Sequence, residues 1–258
     1  MTTQQQTALT TPDNLTAERV DTFRRDGFVH VPNIISKEEA ARFHDAALNI
    51  VETRESRAQD GVFSQHVNVW EYDPTMRELT RHPNVARVAE ALTGVQLRLW
   101  HDQILAKKPH NNVATEFHQD QPYWPHDNSP NPISAWIALC DVPVERGCMT
   151  FLPGSHRRTD LAAQNLRDAE SLFTICPDLR WSPRVTLPLR AGDCTFHHGR
   201  CAHMATPNFT DQTRVAHVVI YIDATTTFSG KGHVCTNDLD LTPGQLLEGE
   251  RFPLAVEG

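Results

Sequence analysis

After Gly94 the chain becomes a succession of short β-rich runs, and this texture limits the possible folds more than any other feature of the sequence. Proline, glycine, asparagine and aspartate separate the runs, as they do at turns between strands. The predicted strands cover residues 95–106, 134–142, 148–152, 185–189, 194–197 and 214–222. Many short strands behind a helical first part are typical of a sandwich or barrel, so we expect a mostly β fold with flanking helices.

Helical patterns dominate the first part of the chain. Ser36 and Glu39 form a capping box, which predicts the start of a helix, and Gly94 predicts the end of another. The predicted elements are a helix over residues 16–25, an edge strand over residues 28–32, and helices over residues 36–54 and 85–92. Residues 161–180 are expected to form a partly helical insertion, whereas the part after Thr225 carries no pattern that predicts an element.

Length and composition favour a single domain and argue against nucleic-acid binding. The chain has 258 residues, 39% of them hydrophobic, and we expect a single domain over residues 15–258 behind a disordered tail over residues 1–14. A net charge of -8, with four lysines against twenty arginines, argues against a nucleic-acid-binding face. The sequence leaves the oligomeric state open between a monomer and a homodimer.

The sequence also favours a cytoplasmic location. The first residues lack the basic start and the apolar core of a secretory signal. No apolar run approaches the roughly 20 residues that a membrane-spanning helix needs, so no membrane association is expected. The six cysteines show no C-x-x-C pair, which favours reduced thiols over a disulfide framework.

A candidate metal site begins at the triplet His118-Gln119-Asp120. In a strand, residues i and i+2 point to the same face, so an imidazole and a carboxylate would lie side by side as adjacent ligands. A chain with 14 histidines contains about one such triplet by chance, so the triplet is weak evidence alone. A third ligand is required before the triplet indicates a metal site.

His203 is the candidate for the third ligand. It follows a predicted strand and a turn, and Arg214 opens another β-rich run further along the chain. Two imidazoles and one carboxylate, with the other positions open, form the facial triad of non-haem iron(II) oxygenases. An arginine within reach can bind the distant carboxylate of a cosubstrate through a forked pair of hydrogen bonds.

In order and spacing these residues resemble the phytanoyl-CoA dioxygenase family of iron(II)/2-oxoglutarate-dependent oxygenases, which includes ectoine hydroxylase. The resemblance runs from the stretch Phe-Arg-Arg-Asp-Gly-Phe-Val, which begins at Phe23, to about Asp223. Its most specific segments are residues 117–120, 135–139, 147–156 and 192–214. It implies a double-stranded β-helix, that is, a jelly-roll, cupin-like barrel, that uses Fe(II), 2-oxoglutarate and O2.

The resemblance assigns roles to individual residues. His118, Asp120 and His203 match the iron ligands, which are the catalytic residues of the family. Arg214 matches the arginine that binds the far carboxylate of 2-oxoglutarate, and Trp136 matches an aromatic residue beside that cosubstrate.

One position departs from the family pattern. Many members carry a serine two residues after the last histidine ligand, whereas this chain has Ala205 there. The neighbouring Thr206 is a candidate replacement for the missing hydroxyl, which would contact 2-oxoglutarate. Gln103, on a strand before the metal triplet, is a second candidate for that contact, although a structural role is the alternative.

Residues around the triad are candidates for contacts with the substrate. Tyr123, Trp124 and His126 follow the metal triplet in a proline-rich loop, and Trp124 matches a family aromatic beside iron and substrate. His197 and His198 adjoin the site, but adjacent strand residues face opposite ways, so at most one of them points inward. The stretch over residues 63–70 is either a lid or a plain surface element.

The predicted function is oxidation of 2-oxoglutarate to succinate and CO2, coupled to hydroxylation or another oxidation of a small metabolite or natural-product intermediate. A CoA ester would need a cluster of cations for its phosphates, and only short pairs such as Lys107-Lys108 are present. Two alternatives stay open: a non-catalytic jelly-roll that binds a metal or ligand, and a cupin-type metalloenzyme of different chemistry. The latter would need no arginine for a carboxylate.

Overall fold

The computed structural model describes residues 15–58, 61–126 and 128–256, so the predicted disordered tail lies outside the described residues. The helices in these ranges are α1 (Ala17–Asp26), α2 (Lys37–Thr53), α3 (Val69–Tyr72), α4 (Pro74–Thr80), α5 (Pro83–Thr93) and α6 (Ser171–Ile175). None of the described helices is both long enough and apolar enough to cross a membrane.

The strands of the described chain form two antiparallel sheets. They are β1 (Phe28–Val31), β2 (Arg57–Ala58), β3 (Ser64–Val67), β4 (Leu97–Lys107), β5 (Thr115–His118), β6 (Ile133–Ala138), β7 (Met149–Phe151), β8 (Val185–Leu187), β9 (Cys194–His198), β10 (His203–Ala205) and β11 (Arg214–Asp223). The larger sheet has the order β1-β9-β6-β11-β4-β3-β2, and the smaller has the order β5-β10-β7-β8. Strand β1 lies at an edge, as the sequence predicts.

The two sheets face each other as the layers of a jelly-roll, which confirms the mostly β fold with flanking helices. Phe28 of β1 and Phe151 of β7 stack across the gap with ring centroids 4.5 Å apart. The described strands do not close into a continuous barrel, which corrects that part of the prediction. The small sheet consists of strands of three or four residues.

Strand β11 lies at the centre of the large sheet, and every one of its residues is buried. Because side chains alternate along a strand, Val215 and Val219 pack against the helices on the outer face. Ala216 and Val218 face the small sheet together with Met149. Strand β11 is almost continuously apolar because helices cover its outer face and the small sheet covers its inner face. Alternate residues of β11 therefore lie in the space between the two sheets.

Helix ends follow the sequence signals closely. The Ser36–Glu39 capping box is present in both directions, with Glu39 N–H donating to Ser36 Oγ at 3.1 Å. Gly27 and Gly94 end α1 and α5 in the left-handed conformation that glycine adopts most easily. The insertion over residues 161–180 is partly helical, as predicted, since α6 lies inside it. Helices α3 and α4 and strand β3 were not predicted.

Candidate metal and cosubstrate site

The three predicted ligands meet between the sheets. His118 ends β5 and His203 begins β10, and these two residues are paired directly across the antiparallel ladder. Asp120 lies two residues beyond His118, and one donor atom from each of the three side chains lies within 4.8 Å of the others. The fold therefore brings together residues that are more than eighty positions apart in the sequence.

The reasoning that led from the triplet to Asp120 was wrong in its geometry. Strand β5 ends at His118, and Asp120 has helical backbone angles, φ -76° and ψ -45°, at the start of a 3-10 turn. The turn brings the carboxylate back toward the two imidazoles. Gln119 points away, and its amide donates to the carbonyl oxygen of Arg200 at 2.6 Å, so it fixes the turn rather than the metal.

Backbone carbonyl groups orient both imidazoles for metal binding. His118 Nδ1 donates to the Glu116 oxygen at 2.7 Å, and His203 Nδ1 donates to the Cys201 oxygen at 2.9 Å. A carbonyl oxygen only accepts, so each neutral ring carries its proton on Nδ1 and leaves Nε2 free. The two Nε2 atoms lie 3.5 and 3.7 Å from Asp120 Oδ1. This arrangement of ligand nitrogen and outer hydrogen bond is usual at metal sites.

Charges at the site suit a cation. Burial lowers the pKa of His203 to about 3, so the ring is neutral and available as a ligand at neutral pH. Burial alone would raise the pKa of Asp120, but the nearby imidazoles of His203, His118 and His197 hold it well below its ordinary value. Two imidazoles and one carboxylate fit a divalent iron ion, which would keep its other coordination positions for small ligands.

Two further side chains hold the other oxygen of Asp120. Ser134 Oγ donates to Asp120 Oδ2 at 3.3 Å, and His197 Nε2 lies 3.4 Å from the same oxygen. His197 is buried, and its ring centroid is 4.5 Å from that of His203. The next residue, His198, faces away and hydrogen-bonds to the Pro130 oxygen at 3.0 Å. One of the two adjacent histidines thus points inward, as predicted, and it contacts a ligand residue.

Arg214 is a buried cation without a carboxylate partner among the described residues. One of its terminal nitrogens donates to the Leu105 oxygen at 3.0 Å, while its Nε has no partner there. The guanidinium lies over the Trp136 ring, 5.3 Å from the centroid. Burial lowers the pKa of Arg214 to about 10, so the group still carries its charge at neutral pH. A buried charge of this kind calls for an anion.

Gly147 makes room for this guanidinium. Its φ of +74° lies in the left-handed region, and a Cβ at this position would come within 3.0 Å of Arg214 Nε. Lys107 pairs with Arg214 across the sheet and is also buried. Burial and the neighbouring Arg214 lower the pKa of Lys107 to about 7. Arg214 is therefore the main positive charge at this end of the space between the sheets.

Comparison with known proteins accounts for the occurrence of a metal-ligand triad and a buried arginine in one site. The sequence profile of the family described as Phytanoyl-CoA dioxygenase (PhyH) matches residues 23–216. The chain belongs to this family. The resemblance deduced from the sequence is thus confirmed.

Curated relatives of this family member match over part of their length. The Phytanoyl-CoA dioxygenase domain-containing protein 1 of Mus musculus is 29% identical over 168 residues, which cover 63% of this chain and 57% of that protein. The peroxisomal Phytanoyl-CoA dioxygenase of Mus musculus is 26% identical over 230 residues, or 78% of this chain and 67% of that protein. The chain spans little more than half the length of the first of these relatives.

Solved structures match over nearly the whole chain. The non-heme alpha ketoglutarate dependent carbocyclase SnoK from nogalamycin biosynthesis is 39% identical, with a TM-score of 0.85, and the match covers 95% of this chain and 98% of that one. The epimerase SnoN in complex with Fe3+, alpha ketoglutarate and nogalamycin RO is also 39% identical, with a TM-score of 0.84 over 93% of this chain and 98% of that one. EctD from S. alaskensis, at 21% identity and a TM-score of 0.70 over 85% of this chain and 80% of that one, shows the shared fold.

A cavity of about 530 Å³ connects the metal ligands to Arg214 in this family member. Its walls include Trp136, Gln103, Tyr123 and Trp124 of the predicted site residues, and Ala205. The Gln103 side chain accepts a hydrogen bond from Gln65 of the neighbouring strand β3. Residues from the stretch 63–70 reach this wall, so that stretch lies at the cavity instead of on a plain surface.

Two predicted contact residues lie elsewhere. Thr206 is not part of the cavity wall; it follows the end of β10, and its hydroxyl donates to the Val144 oxygen at 2.7 Å. The expectation that Thr206 replaces the family serine is therefore not supported. His126 is buried behind Trp124, with ring centroids 5.4 Å apart, and lines a separate cavity of about 250 Å³. It does not line the cavity that holds the ligand triad.

Proposed function

We propose that this protein is an iron(II)/2-oxoglutarate-dependent dioxygenase that oxidises a small natural-product intermediate and releases succinate and CO2. One observation carries the proposal. Three side chains with free donor atoms converge at one point of a cavity, and a buried arginine without a carboxylate partner among the described residues lies in the same cavity wall. A metal ion would bind the three converging donor atoms, and a dicarboxylate bound to that ion would reach Arg214 with its far carboxylate.

Different residues of the site would bind the iron and the 2-oxoglutarate. His118, Asp120 and His203 would hold the iron, and Arg214 would bind the far carboxylate of 2-oxoglutarate. When bound, iron and 2-oxoglutarate supply the activation of dioxygen and the removal of a hydrogen atom from a carbon. Trp136 is stacked on Arg214 and excludes water from the ion pair, which strengthens it. Ser134 and His197 hold the second oxygen of Asp120 and leave Oδ1 directed at the metal.

The class of substrate follows from the neighbours and from the cavity. Two solved neighbours at 39% identity are named for nogalamycin biosynthesis, and these matches cover almost the whole chain. This similarity favours a natural-product intermediate over a CoA ester. The names of the two neighbours, a carbocyclase and an epimerase, also widen the expected outcome. We propose that oxidation of the substrate ends in hydroxylation, ring closure or inversion of a carbon centre.

Formation of succinate tests the proposal. Protein loaded anaerobically with iron(II) and 2-oxoglutarate should produce succinate when oxygen is admitted, at least slowly in the absence of substrate and faster with it. His118→Ala and His203→Ala should abolish both iron binding and succinate formation, because each removes one of three ligands. His66→Ala, which alters a buried histidine outside the cavity wall, is the matched control. Full iron content and full turnover in both ligand variants would refute the site.

The same assay separates the alternatives. A non-catalytic binding protein would take up iron and 2-oxoglutarate without forming succinate. A metalloenzyme of different chemistry would turn over its substrate without 2-oxoglutarate, and Arg214→Ala would leave that turnover unchanged. A metalloenzyme of different chemistry does not explain why a charged guanidinium is buried in the same cavity wall as the three candidate metal ligands.

A further inference from the structure

Two histidines outside the ligand triad line the same cavity. His101 lies on β4 and His233 lies in the irregular C-terminal part, and their ring centroids are 5.7 Å apart. Neither residue has a role in holding iron or 2-oxoglutarate. Their placement deepens the proposed function and rests on it, because it indicates what kind of substrate the cavity accepts.

A β-bulge turns His101 toward the cavity. In the pairing of β4 with β11, Ile220 is opposite His101 and Tyr221 is opposite Leu99, so the register skips Trp100. Trp100 and His101 are therefore both directed inward, although neighbours along a regular strand would face opposite sides. Trp100 packs in the core between the sheets, and His101 lines the cavity. Bulges next to active sites commonly redirect a side chain in this way.

Both imidazoles are neutral and have free hydrogen-bonding capacity. No ring nitrogen of His101 has a hydrogen-bond partner among the described residues, and its Nδ1 is buried. The backbone N–H of Cys235 donates to His233 Nδ1 at 3.2 Å, so the neutral ring carries its proton on Nε2. Burial, with Arg57 and Lys231 nearby, lowers the pKa of His233 to about 4. His233 therefore offers an N–H donor at neutral pH.

An aromatic core fixes both rings in position. Trp100 is almost completely buried and contacts His101 at 5.7 Å and His233 at 5.3 Å between ring centroids. Phe252 stacks on the other side of Trp100 at 5.4 Å. Because the two imidazoles are held by a rigid ring, they form a preorganised pair that binds a ligand atom at little entropic cost.

Aromatic rings form part of the surrounding walls, together with polar side chains such as Arg57 and Gln65. Phe63, Tyr123 and Trp124 contribute aromatic rings to the cavity. The Tyr123 hydroxyl donates to the carbonyl oxygen of Gln164, so this side chain presents its ring to the cavity while its hydroxyl is already engaged. Aromatic walls favour ligands with flat rings, which stack on them. A cavity of about 530 Å³ lies within the range of sites for drug-sized molecules.

We infer that His101 and His233 form the substrate-orienting end of the cavity. They hydrogen-bond to a carbonyl or hydroxyl oxygen of a flat ring system and thereby determine which carbon of that ring system faces the metal ligands. An oxygen is the expected partner because His233 offers an N–H donor and His101 has no hydrogen-bond partner among the described residues. A flat substrate follows from the aromatic walls.

Three small probes test the flat ring and the oxygen separately. 1-Tetralone combines a ketone with an aromatic ring, tetralin lacks the ketone, and 1-decalone lacks the aromatic ring. Binding is measured by tryptophan fluorescence with protein that holds iron(II) and 2-oxoglutarate without oxygen. We expect 1-tetralone to bind about tenfold more tightly than either analogue, since tetralin loses one hydrogen bond and 1-decalone loses aromatic stacking, and each contributes about that much. Equal binding of 1-tetralone and tetralin, equal binding of 1-tetralone and 1-decalone, or no binding of any probe would overturn the inference.

Substitutions test whether the two histidines cause the preference for 1-tetralone over tetralin. His101→Leu and His233→Leu should lower the affinity for 1-tetralone to that for tetralin and leave tetralin binding unchanged. His101→Gln, which keeps a donor and an acceptor, should restore part of the difference. His66→Leu is the control, because His66 is also buried with an unpartnered nitrogen but does not line the cavity. Selective binding of 1-tetralone that survives both leucine variants would overturn the role of the two histidines.

Succinate formation in the same samples separates this inference from the proposed function. If iron and 2-oxoglutarate yield succinate while the probes bind without selectivity, the orienting role fails and the proposed function stands. If the probes bind as expected while no succinate forms under any condition, the proposed function fails. In that case the two histidines remain a ligand-binding pair.

Discussion

The carboxylate of Asp120 is controlled by residues that do not themselves face the metal. Oδ1 faces the two ligand imidazoles, whereas Oδ2 is held by Ser134 and His197. A free carboxylate can rotate or use both oxygens. Because Oδ2 is engaged, Asp120 is preorganised to bind a metal through a single oxygen.

His197→Asn is therefore expected to weaken iron binding without removing a ligand. Loss of an outer partner of this kind typically costs about 10- to 100-fold in metal affinity or activity. Titration of the apoprotein with iron(II) under anaerobic conditions measures the effect. His198→Asn is the matched control, because that ring faces away from the site. Equal iron affinity in the His197 variant and the parent would show that the contact with Asp120 has no such function.

Arg214→Ala should raise the Michaelis constant for 2-oxoglutarate. Truncating one partner of a buried charged pair costs about 2–5 kcal/mol, which corresponds to roughly 30-fold and upward. The initial rate of succinate formation against 2-oxoglutarate concentration gives the constant. Arg214→Lys keeps the charge but cannot form the forked pair of hydrogen bonds, so its Michaelis constant for 2-oxoglutarate should lie between those of the parent and the alanine variant. An unchanged constant in the alanine variant would rule out a role for Arg214 in binding the cosubstrate.

At the scale of secondary-structure elements, an unusual carboxyl group joins α3 and α4 to the large sheet. Asp102 of β4 is completely buried, and its Oδ2 accepts hydrogen bonds from Trp70 N–H at 3.0 Å and Thr80 Oγ at 2.7 Å. Its other oxygen has no partner among the described residues. Burial raises the pKa of Asp102 to about 7, so the folded protein favours the protonated form.

This raised pKa predicts a pH dependence of stability. Its contribution to the free energy of unfolding is fully present below the ordinary pKa near 3.8 and is lost as the pH rises through about 7. Asp102→Asn mimics the protonated form at every pH, so its advantage in stability over the parent should grow as the pH rises from 5 to 8. Asp102→Ala leaves buried donors unpaired and should lose about 1–3 kcal/mol at pH 5. Urea unfolding of the three proteins at both pH values measures this, and parallel curves for parent and Asp102→Asn would contradict it.

The elements also show what a sequence can and cannot predict. Helices α1, α2 and α5 are long and carry clear end signals, and their predicted bounds lie within about two residues of the observed ones. Helices α3 and α4 have only four and seven residues, too short for an apolar period to be visible. They form because Asp73 caps α4 and Asp102 holds the start of α3, and the second of these contacts comes from a distant part of the chain.

For the whole molecule, the sequence predicted well which residues form the site. It predicted less well which structural elements bring these residues together. The ligand triad and Arg214 were predicted because their residue types and order match a family. His101 and His233 could not be predicted as a pair, because a bulge and an irregular C-terminal segment bring them together. Thr206 was a candidate only because it adjoins Ala205 in the sequence, whereas in the structure its hydroxyl is bonded to the Val144 oxygen and it does not line the cavity.

The complete coordination sphere predicts the type of product. Three protein ligands, two atoms of 2-oxoglutarate and one position for oxygen fill an octahedron, so chloride or bromide finds no vacant position while Asp120 is present. We expect products without halogen when substrate is turned over in chloride or bromide buffer. Mass spectrometry with labelled dioxygen distinguishes oxygen insertion from ring closure or inversion. Halide incorporation by the unaltered protein would disprove the predicted set of ligands.

Strand β4 connects the two ends of the cavity. Lys107 lies beside Arg214 at one end, and His101 lies six residues earlier on the same strand, or about 20 Å away. Substitutions separated by more than about 7–10 Å, with no shared partners, usually have independent effects. The residues that bind the cosubstrate, which is always the same, are therefore different from the residues that bind the substrate, which can vary. A scaffold of this kind can exchange one substrate for another by changing a few residues around the bulge, while the residues that bind 2-oxoglutarate stay the same.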